Sequence, residues 1–396
     1  MRDFVILSRV KPIGMGLIGA GFVGPHHIDA VRRLGYVKVV ALAASSEASA
    51  RSKADALGVP KAYGDFQRLL DDEEVDVVHN ATPNYLHYRI NAAAIARGKH
   101  IVSDKPLAMT SAEARALLDQ AKAANVVHAV TFNYRGNPLV QQARNMIARG
   151  DIGRPHFTHG FYLQDWLLKD TDYSWRLEPD KGGPTSALGD IGSHWCDLAQ
   201  HVTGLRIVEV LAHITTVIPE RKKLSRSREA FQAAGDEEAF ERVQSPLEDL
   251  ASVIVKFEGG AKGAFSVGQV CAGHKNDLQL EVCGASGSLK WRQEQQNELW
   301  IGRRDGPNQL LAKDPSLLDD AARRYAHLPG GHQESWADAF CNVMRDIYDV
   351  IARGPSPAEP RPPAFATFED GYRAACIVDA ILASAKQGGV WTKVQN

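Results

Sequence analysis

Short apolar runs alternate with longer amphipathic stretches through the first third of the chain. Strands are expected at 13–18, 37–43, 75–80, 99–103 and 126–131, and helices at 25–33, 48–57, 85–96 and 111–124. Buried apolar strands separated by helices form a parallel sheet covered on both faces. The alternation ends near residue 131, and a helix is expected at 138–149. Beyond Gly153 the strand candidates are 156–164, 207–217, 251–257, 262–270, 277–283 and 287–292, with Gly259-Gly260 and Ala285-Ser286-Gly287 as hairpin connections. This pattern predicts a large, mostly antiparallel sheet with few helices over it. Residues 218–249 and 305–331 read as long excursions. Helices are expected at about 332–353 and 365–386, joined by a link carrying Pro355, Pro357, Pro360, Pro362 and Pro363, through which helix does not continue easily. The expected organisation is a first domain over 1–131 and a second over 132–396, with the last helix packing back on the first.

One motif gives the first domain a chemistry. Gly19-Ala20-Gly21-Phe22-Val23-Gly24 is a GxGxxG that follows a strand and opens a helix. The first glycine permits the tight turn. The second leaves room where backbone meets a pyrophosphate, and the third lets the helix pack closely on the sheet. Free N–H groups at the helix start face the diphosphate. In this setting the motif predicts a Rossmann fold that binds a nicotinamide dinucleotide. The second strand ends in Ala44-Ser45-Ser46-Glu47, with no acid at the strand end to read the ribose. Ser45 and Ser46 can bond ribose hydroxyls or a 2'-phosphate, and the nearest arginine, Arg51, lies further down the helix. NAD is preferred, and NADP remains open.

Composition narrows the remaining classes. With 396 residues and 44% hydrophobic content the chain can bury a substantial core, and its length suggests two domains. It has 46 basic and 47 acidic residues and a formal charge of -1, with no long field of one sign, which argues against nucleic acid as a partner. A basic cluster at Arg221, Lys222 and Lys223, extended by Arg226 and Arg228, precedes Asp236, Glu237, Glu238 and Glu241 and reads as a solvated insertion. The five cysteines (196, 271, 283, 341 and 376) form no CxxC pair, which fits a reducing compartment. The apolar run at 13–23 is interrupted by four glycines and lacks a signal-peptide cleavage pattern, and no apolar segment is long enough for a membrane helix. A cytoplasmic protein is the default expectation.

Three further segments specify more: ATPNYLH at 81–87, GKHIVSDKPLA at 98–108, and GGPTSALGDIGSHWCDLAQHVTG at 182–204. Together with the glycine turn they resemble the glucose-fructose oxidoreductase / inositol dehydrogenase (Gfo/Idh/MocA) family, over essentially the whole chain. The resemblance implies an N-terminal Rossmann domain and a C-terminal α+β domain built on a large, mostly antiparallel sheet, with substrate between that sheet and the nicotinamide. It also implies a homodimer or homotetramer, and the C-terminal sheet is expected to bury one face against a partner subunit. Family members commonly carry a Glu-Lys-Pro segment with an active-site lysine. Here the matching residues are Asp104, Lys105 and Pro106, the acid one methylene shorter. Asp104 and Lys105 are accordingly expected beside the cofactor. Thr82, Pro83, Asn84 and His87 match the stretch that lines the cofactor cleft.

The family's second catalytic segment, an Asp and a His four apart, falls on Asp190 and His194. On a helix this spacing puts both on one face. Oxidation of a carbinol needs its hydroxyl proton removed as hydride leaves, and a histidine with an ordinary pKa near 6.5 suits that exchange. His194 is the expected base, Asp190 the group fixing a neighbouring hydroxyl, and Lys105 the donor to the reacting oxygen. A metal set of His194, Cys196, Asp197 and His201 is disfavoured, because the helix points Cys196 away from His194. Nicotinamide carries hydride chemistry without a metal.

Ligands in such sheets bind beyond the carboxyl ends of the strands, which nominates Tyr134 and Arg135. The segment 161–176 is rich in aromatic and polar groups suited to a sugar: Tyr162, Gln164, Asp165, Trp166, Tyr173, Trp175 and Arg176. His332 is a further candidate, closing the pocket after the long loop. The expected activity is oxidation of a hydroxyl of a sugar, glycoside, anhydrosugar or inositol by NAD or NADP. Two alternatives stand beside it: a phosphorylated or other non-sugar substrate, for which Arg135 and Arg176 would supply charge, and a ligand-sensing protein without catalysis.

Overall fold

The computed structural model of the protein describes residues 12–224, 240–354 and 363–395. Its first part runs β1 (Ile13–Ile18), α1 (Gly24–Arg32), β2 (Val37–Ala43), α2 (Glu47–Ala56), β3 (Lys61–Tyr63), α3 (Phe66–Leu70), β4 (Val77–Asn80), α4 (His87–Ala96), β5 (His100–Ser103), α5 (Ser111–Ala124) and β6 (His128–Val130). The six strands form one parallel sheet in the order β3-β2-β1-β4-β5-β6. All residues of β1 and β4 are buried, as strands covered on both faces must be. The chain leaves β1 toward one edge and returns to β4 on the other side. The ends of β1 and β4 therefore flank the crevice where such sheets take ligands. Pattern reading missed β3 and α3, because three half-buried residues and a five-residue helix carry too little periodicity.

The second part continues with α6 (Pro138–Arg149), β7 (Pro155–Leu163), α7 (Pro179–Gly182), α8 (Ser193–Thr203), β8 (Ile207–Thr215), β9 (Glu220–Leu224), β10 (Phe240–Gln244), β11 (Leu250–Phe257), β12 (Lys262–Gly268), β13 (Asp277–Gly284), β14 (Ser288–Arg292), β15 (Glu298–Gly302), β16 (Gln309–Ala312), α9 (Asp320–Arg323), α10 (Trp336–Arg353), α11 (Phe368–Lys386) and β17 (Thr392–Lys393). Nine strands form one sheet in the order β16-β15-β14-β13-β7-β12-β11-β8-β17. Every neighbouring pair is antiparallel except β7 and β12. Burial alternates along β11, where Ala251, Val253, Val255 and Phe257 face inward while Ser252 and Ile254 are exposed. The inward face packs against α6, α8 and α11 in one apolar cluster. Within it the Trp195 ring stacks on Phe265 at 4.3 Å, and its Nε1 donates to the Gln279 carbonyl.

Both C-terminal helices reach the first sheet. Phe340, Met344, Ile347 and Tyr348 of α10 share a buried cluster with β1 and α1, and Phe368 and Ala374 of α11 share another with α4 and α5. The expected long excursion at 218–249 instead holds the β9–β10 hairpin, and 305–331 holds β16 and α9. Of the basic cluster, Arg226 and Arg228 lie outside the described residues, as do Asp236, Glu237 and Glu238. Arg221 is fully buried rather than solvated. Among the described residues no helix is long and apolar enough to cross a membrane.

Candidate active site

The glycine turn leaves β1 toward α1. A Cβ on Gly19 (φ +89°) would lie 2.7 Å from the Ala81 carbonyl oxygen, and one on Gly24 would lie 2.7 Å from that of Gly19. Both positions are closed to side chains by backbone. At Gly21 a Cβ would meet nothing within 4 Å. The turn is therefore packed tightly behind and open in front, as a diphosphate lying on the backbone requires. Val23 leads into α1, Phe22 is exposed over the turn, and the Lys53 ammonium holds the Ala20 carbonyl at 3.0 Å.

At the end of β2, Ser46 caps α2 and Ser45 is exposed. Arg51 binds the carbonyls of Val59 and Pro60 and pairs with Asp55 at 2.6 Å. At the end of β4, the Thr82 hydroxyl donates to Asn80 at 2.7 Å, Pro83 follows, and the Asn84 amide donates to the Gly182 carbonyl at 2.8 Å. His87 does not line the crevice. It is fully buried, its ring nitrogens 2.6 Å from the Pro106 carbonyl and 2.8 Å from that of Thr82. It thus ties the loop after β4 to the loop after β5. The Asp104 carboxylate accepts a bond from the Thr131 hydroxyl.

Lys105 lies near the start of that second loop, joined to Pro106 by a cis peptide bond. Its Nζ donates to the Asp190 carboxylate and to the Asp190 carbonyl, each at 2.6 Å. An ammonium has three N–H donors, so one is left for a ligand. Asp190 lies in a π-helical turn, Leu188–Gly192, that runs directly into α8. The expected simple α-helical stacking of Asp190 and His194 is thus replaced by a widened turn, a distortion frequent at functional sites. The turn presents the Asp190 carboxylate to Arg176 (Nε at 3.3 Å) and Gln269 (Nε2 at 2.7 Å) as well as Lys105. Burial pushes this carboxyl up, but Lys105, Arg176 and Gln269 outweigh it and hold it well below the ordinary range.

His194 is 7% exposed and ringed by Phe132, Tyr134 and Tyr162, with centroids at 5.4, 5.1 and 6.1 Å. Burial, followed by the Lys105 charge, pushes its pKa well below 6.5, against the weaker opposing pull of Asp190. The imidazole is therefore neutral near neutrality, an acceptor by environment rather than by its ordinary pKa.

A chain of neutral polar groups extends from this centre. Gln269 reaches Gln164 at 3.4 Å, and Gln164 donates to Asn276 at 2.9 Å while accepting from the Trp166 indole at 2.8 Å. Asn276 also accepts from Tyr162 at 2.6 Å and donates to Tyr134 at 3.1 Å, and the two phenols are 2.7 Å apart. Sequence reasoning nominated all of these except Gln269 and Asn276. Gln269 did carry a signal, for it continues the inward row Gly263, Phe265, Val267 of β12, where a polar residue is out of place. Asn276, in a loop, carried none.

Other candidates are placed differently. Arg135 is buried, its guanidinium bound to both Asp197 oxygens and 3.0 Å from Asp370. It joins α8 to α11 and offers no free charge to a substrate. Asp165 pairs with Lys275 at 2.6 Å. Trp175 carries the Arg176 guanidinium 4.5 Å over its ring, and the Lys223 ammonium lies 5.4 Å from the centre of the Tyr173 ring. His332 is exposed, and among the described residues its ring bonds only within its own turn, to Gly330. Asp197 and His201 of α8 face Arg135 and Gln141, not His194.

Known proteins resemble this chain along its length. Residues 13–132 match a family model described as an oxidoreductase family with an NAD-binding Rossmann fold, and residues 140–290 match the GFO/IDH/MocA C-terminal domain. The chain is 32% identical to levoglucosan dehydrogenase of Pseudarthrobacter phenanthrenivorans over 95% of this chain and 97% of that protein. A solved structure of levoglucosan dehydrogenase in complex with NADH and levoglucosan superimposes with a TM-score of 0.86 at 29% identity, covering 97% of this chain and 100% of the other. An inositol dehydrogenase homologue from Azotobacter vinelandii complexed with NAD+ gives 0.85 at 28% identity, over 97% and 98%.

Proposed function

The chain belongs to the GFO/IDH/MocA family of oxidoreductases, and from that premise we propose that it oxidises a secondary or anomeric hydroxyl of a neutral sugar, anhydrosugar, glycoside or inositol with NAD. The observation that carries the reading is the junction of two chemistries. Lys105 on Asp190 beside a neutral, buried His194 adjoins a network of amides and phenols without net charge.

The turn Gly19–Gly24, with Ser45, Ser46, Thr82, Pro83, Asn84 and Asp104, would hold the dinucleotide. The first 131 residues bind it, and the remainder presents the substrate. Bound NAD supplies the hydride acceptor. His194 takes the hydroxyl proton as the carbinol C–H bond breaks. The remaining N–H of Lys105 donates to the reacting oxygen and stabilises its developing charge. Asp190 fixes the ammonium and accepts from a neighbouring hydroxyl. Tyr134, Tyr162, Gln164 and Trp166 bind the other hydroxyls and the apolar ring face, with Trp175 and Arg176 beside them.

A phosphorylated substrate loses its main support, since Arg135 is bound by Asp197 and Asp370 and Arg176 faces Asp190. NAD is favoured over NADP because Arg51, the nearest arginine to the end of β2, is held by Val59, Pro60 and Asp55. A second copy of the chain would pack on the open face of the nine-stranded sheet, where Phe157 and Ile254 are exposed.

The test is absorbance at 340 nm with NAD and NADP separately. The panel holds an anhydrosugar, glucose, a glucoside, myo-inositol, scyllo-inositol and a phosphosugar. Reduction of NAD by a neutral member supports the reading, and turnover of the phosphosugar alone overturns it.

A further inference from the structure

The helix that carries Asp190 and His194 begins without a cap of its own. The residue before the π-helical turn is Ala187, and no local side chain bonds the free N–H groups there. A helix start leaves such groups in need of partners. The partner comes from across the fold. Glu248, just before β11, is 2% exposed, and its Oε1 accepts from the backbone N–H groups of Ser186 and Leu188, each at 2.9 Å. The intervening Ala187 N–H points to the Glu248 carbonyl at 3.5 Å. Three consecutive amides thus meet one glutamate.

The next residue serves the other wall. Asp249 accepts from the N–H groups of Val217 and Ile218 and pairs with Arg221 at 2.6 Å. Arg221, fully buried, donates to the carbonyls of Leu167, Lys169 and Asp172. Those residues belong to the segment that carries Trp166, Trp175 and Arg176. Glu248 therefore holds the catalytic helix and Asp249 the substrate segment, from adjacent positions in the turn just before β11.

We propose that Glu248 is a positioning residue for the dehydrogenase reaction: its side chain fixes the π-helical turn so that Asp190 meets Lys105 and His194 stands at its working place. This rests on the reading given under Proposed function. Neither oxygen of Glu248 touches the Lys105–Asp190–His194 group, so the residue acts only through the turn. Burial, with a smaller push from Asp249, raises its carboxyl to about 7 against the pull of the backbone bonds. Protonated or not, an oxygen remains to accept from both amides. A glutamine offers the same acceptor at the same reach.

The experiment compares Glu248→Ala and Glu248→Gln with the wild-type full chain. In the alanine variant kcat should fall by roughly 30- to 100-fold, the scale of a misplaced catalytic group, with KM for sugar and NAD within about threefold. The glutamine variant should keep at least about half of wild-type kcat, because it restores the cap. Hydrogen exchange read on peptides spanning 184–195 should quicken in the alanine variant and not in the glutamine variant. Alanine kcat within about threefold of wild type, or glutamine no better than alanine, overturns the proposal, since the loss would then not follow the cap. If no substrate is turned over, the exchange data still decide the positioning: unchanged exchange in the alanine variant refutes it separately from the activity.

Discussion

Replacing Asp190 by asparagine removes one charge and almost no volume from the centre of the site. In the wild type the carboxylate faces Lys105 at 2.6 Å, Arg176 at 3.3 Å and Gln269 at 2.7 Å. The amide leaves two cations without their shared anion, and one of its ends is a donor set against another donor. Removing one partner of a buried pair costs about 3–5 kcal/mol. The asparagine no longer has a charge to desolvate and Lys105 keeps the Asp190 carbonyl, so a loss of about 2–3 kcal/mol is expected for Asp190→Asn. At the unfolding entropy of a chain this size that is a fall in Tm of about 2–4 °C. The pH dependence has a definite sign. An unfolded aspartate ionises near 3.8, and folded Asp190 ionises well below that. The folded chain thus holds the carboxylate where the unfolded chain has begun to protonate it. Its contribution is full above the unfolded pKa and is lost as pH falls toward the folded one. The Tm gap between wild type and variant should be constant from about pH 5 to 8 and narrow below about pH 4. In turnover, loss of the ion pair that holds the Lys105 donor should lower kcat/KM by about 10²–10³. The assays are thermal melting across pH and steady-state reduction of NAD. A variant that melts with the wild type at pH 7, or a gap that widens in acid, would refute the electrostatic account. A kcat/KM within about fivefold would refute the catalytic one.

Three further outcomes follow from the geometry. His194→Ala should lower kcat by about 10²–10⁴ while leaving NAD binding intact, and because the imidazole is neutral well below pH 6.5 the wild-type acidic limb should lie below that value; a limb above it, in kcat/KM against pH, would contradict the burial argument. Gly21→Val should leave the apo melting temperature unchanged, since its Cβ meets nothing within 4 Å, yet weaken NAD by more than about tenfold in calorimetric titration, because the open space is where the diphosphate lies; equal affinity would place the cofactor elsewhere. Arg221→Met breaks a fully buried pair with Asp249 and should cost about 3–5 kcal/mol, or about 5 °C, with KM for the sugar rising more than kcat falls; a KM unchanged at lowered Tm would confine Arg221 to stability.

What the sequence determined by itself is whatever repeats or is local. Hydrophobic period marks strands and helices, so the parallel sheet and most of the antiparallel one were legible, β2 to the residue. The glycine turn was legible because its three glycines are closely spaced between a strand and a helix, a pattern carried by a short stretch of chain. Lys105, Asp190 and His194 were legible through motifs whose spacing survives in the chain. Three or five residues of weak period (β3, α3) were not. Tertiary structure decided the charges. A buried arginine and a solvated one read alike in sequence: Arg135 and Arg221 became interior crosslinks because Asp197 and Asp249 lie 62 and 28 positions away in the chain and beside them in space. It also decided the electrostatics of the site, since the pKa of His194 follows from three aromatic rings and an ammonium brought in from other elements. The cap on the catalytic helix belongs to the same class. Its donor amides and its acceptor, Glu248, are separated by 60 to 62 residues, and only the closing of the sheet brings an unsatisfied helix start to a buried carboxyl.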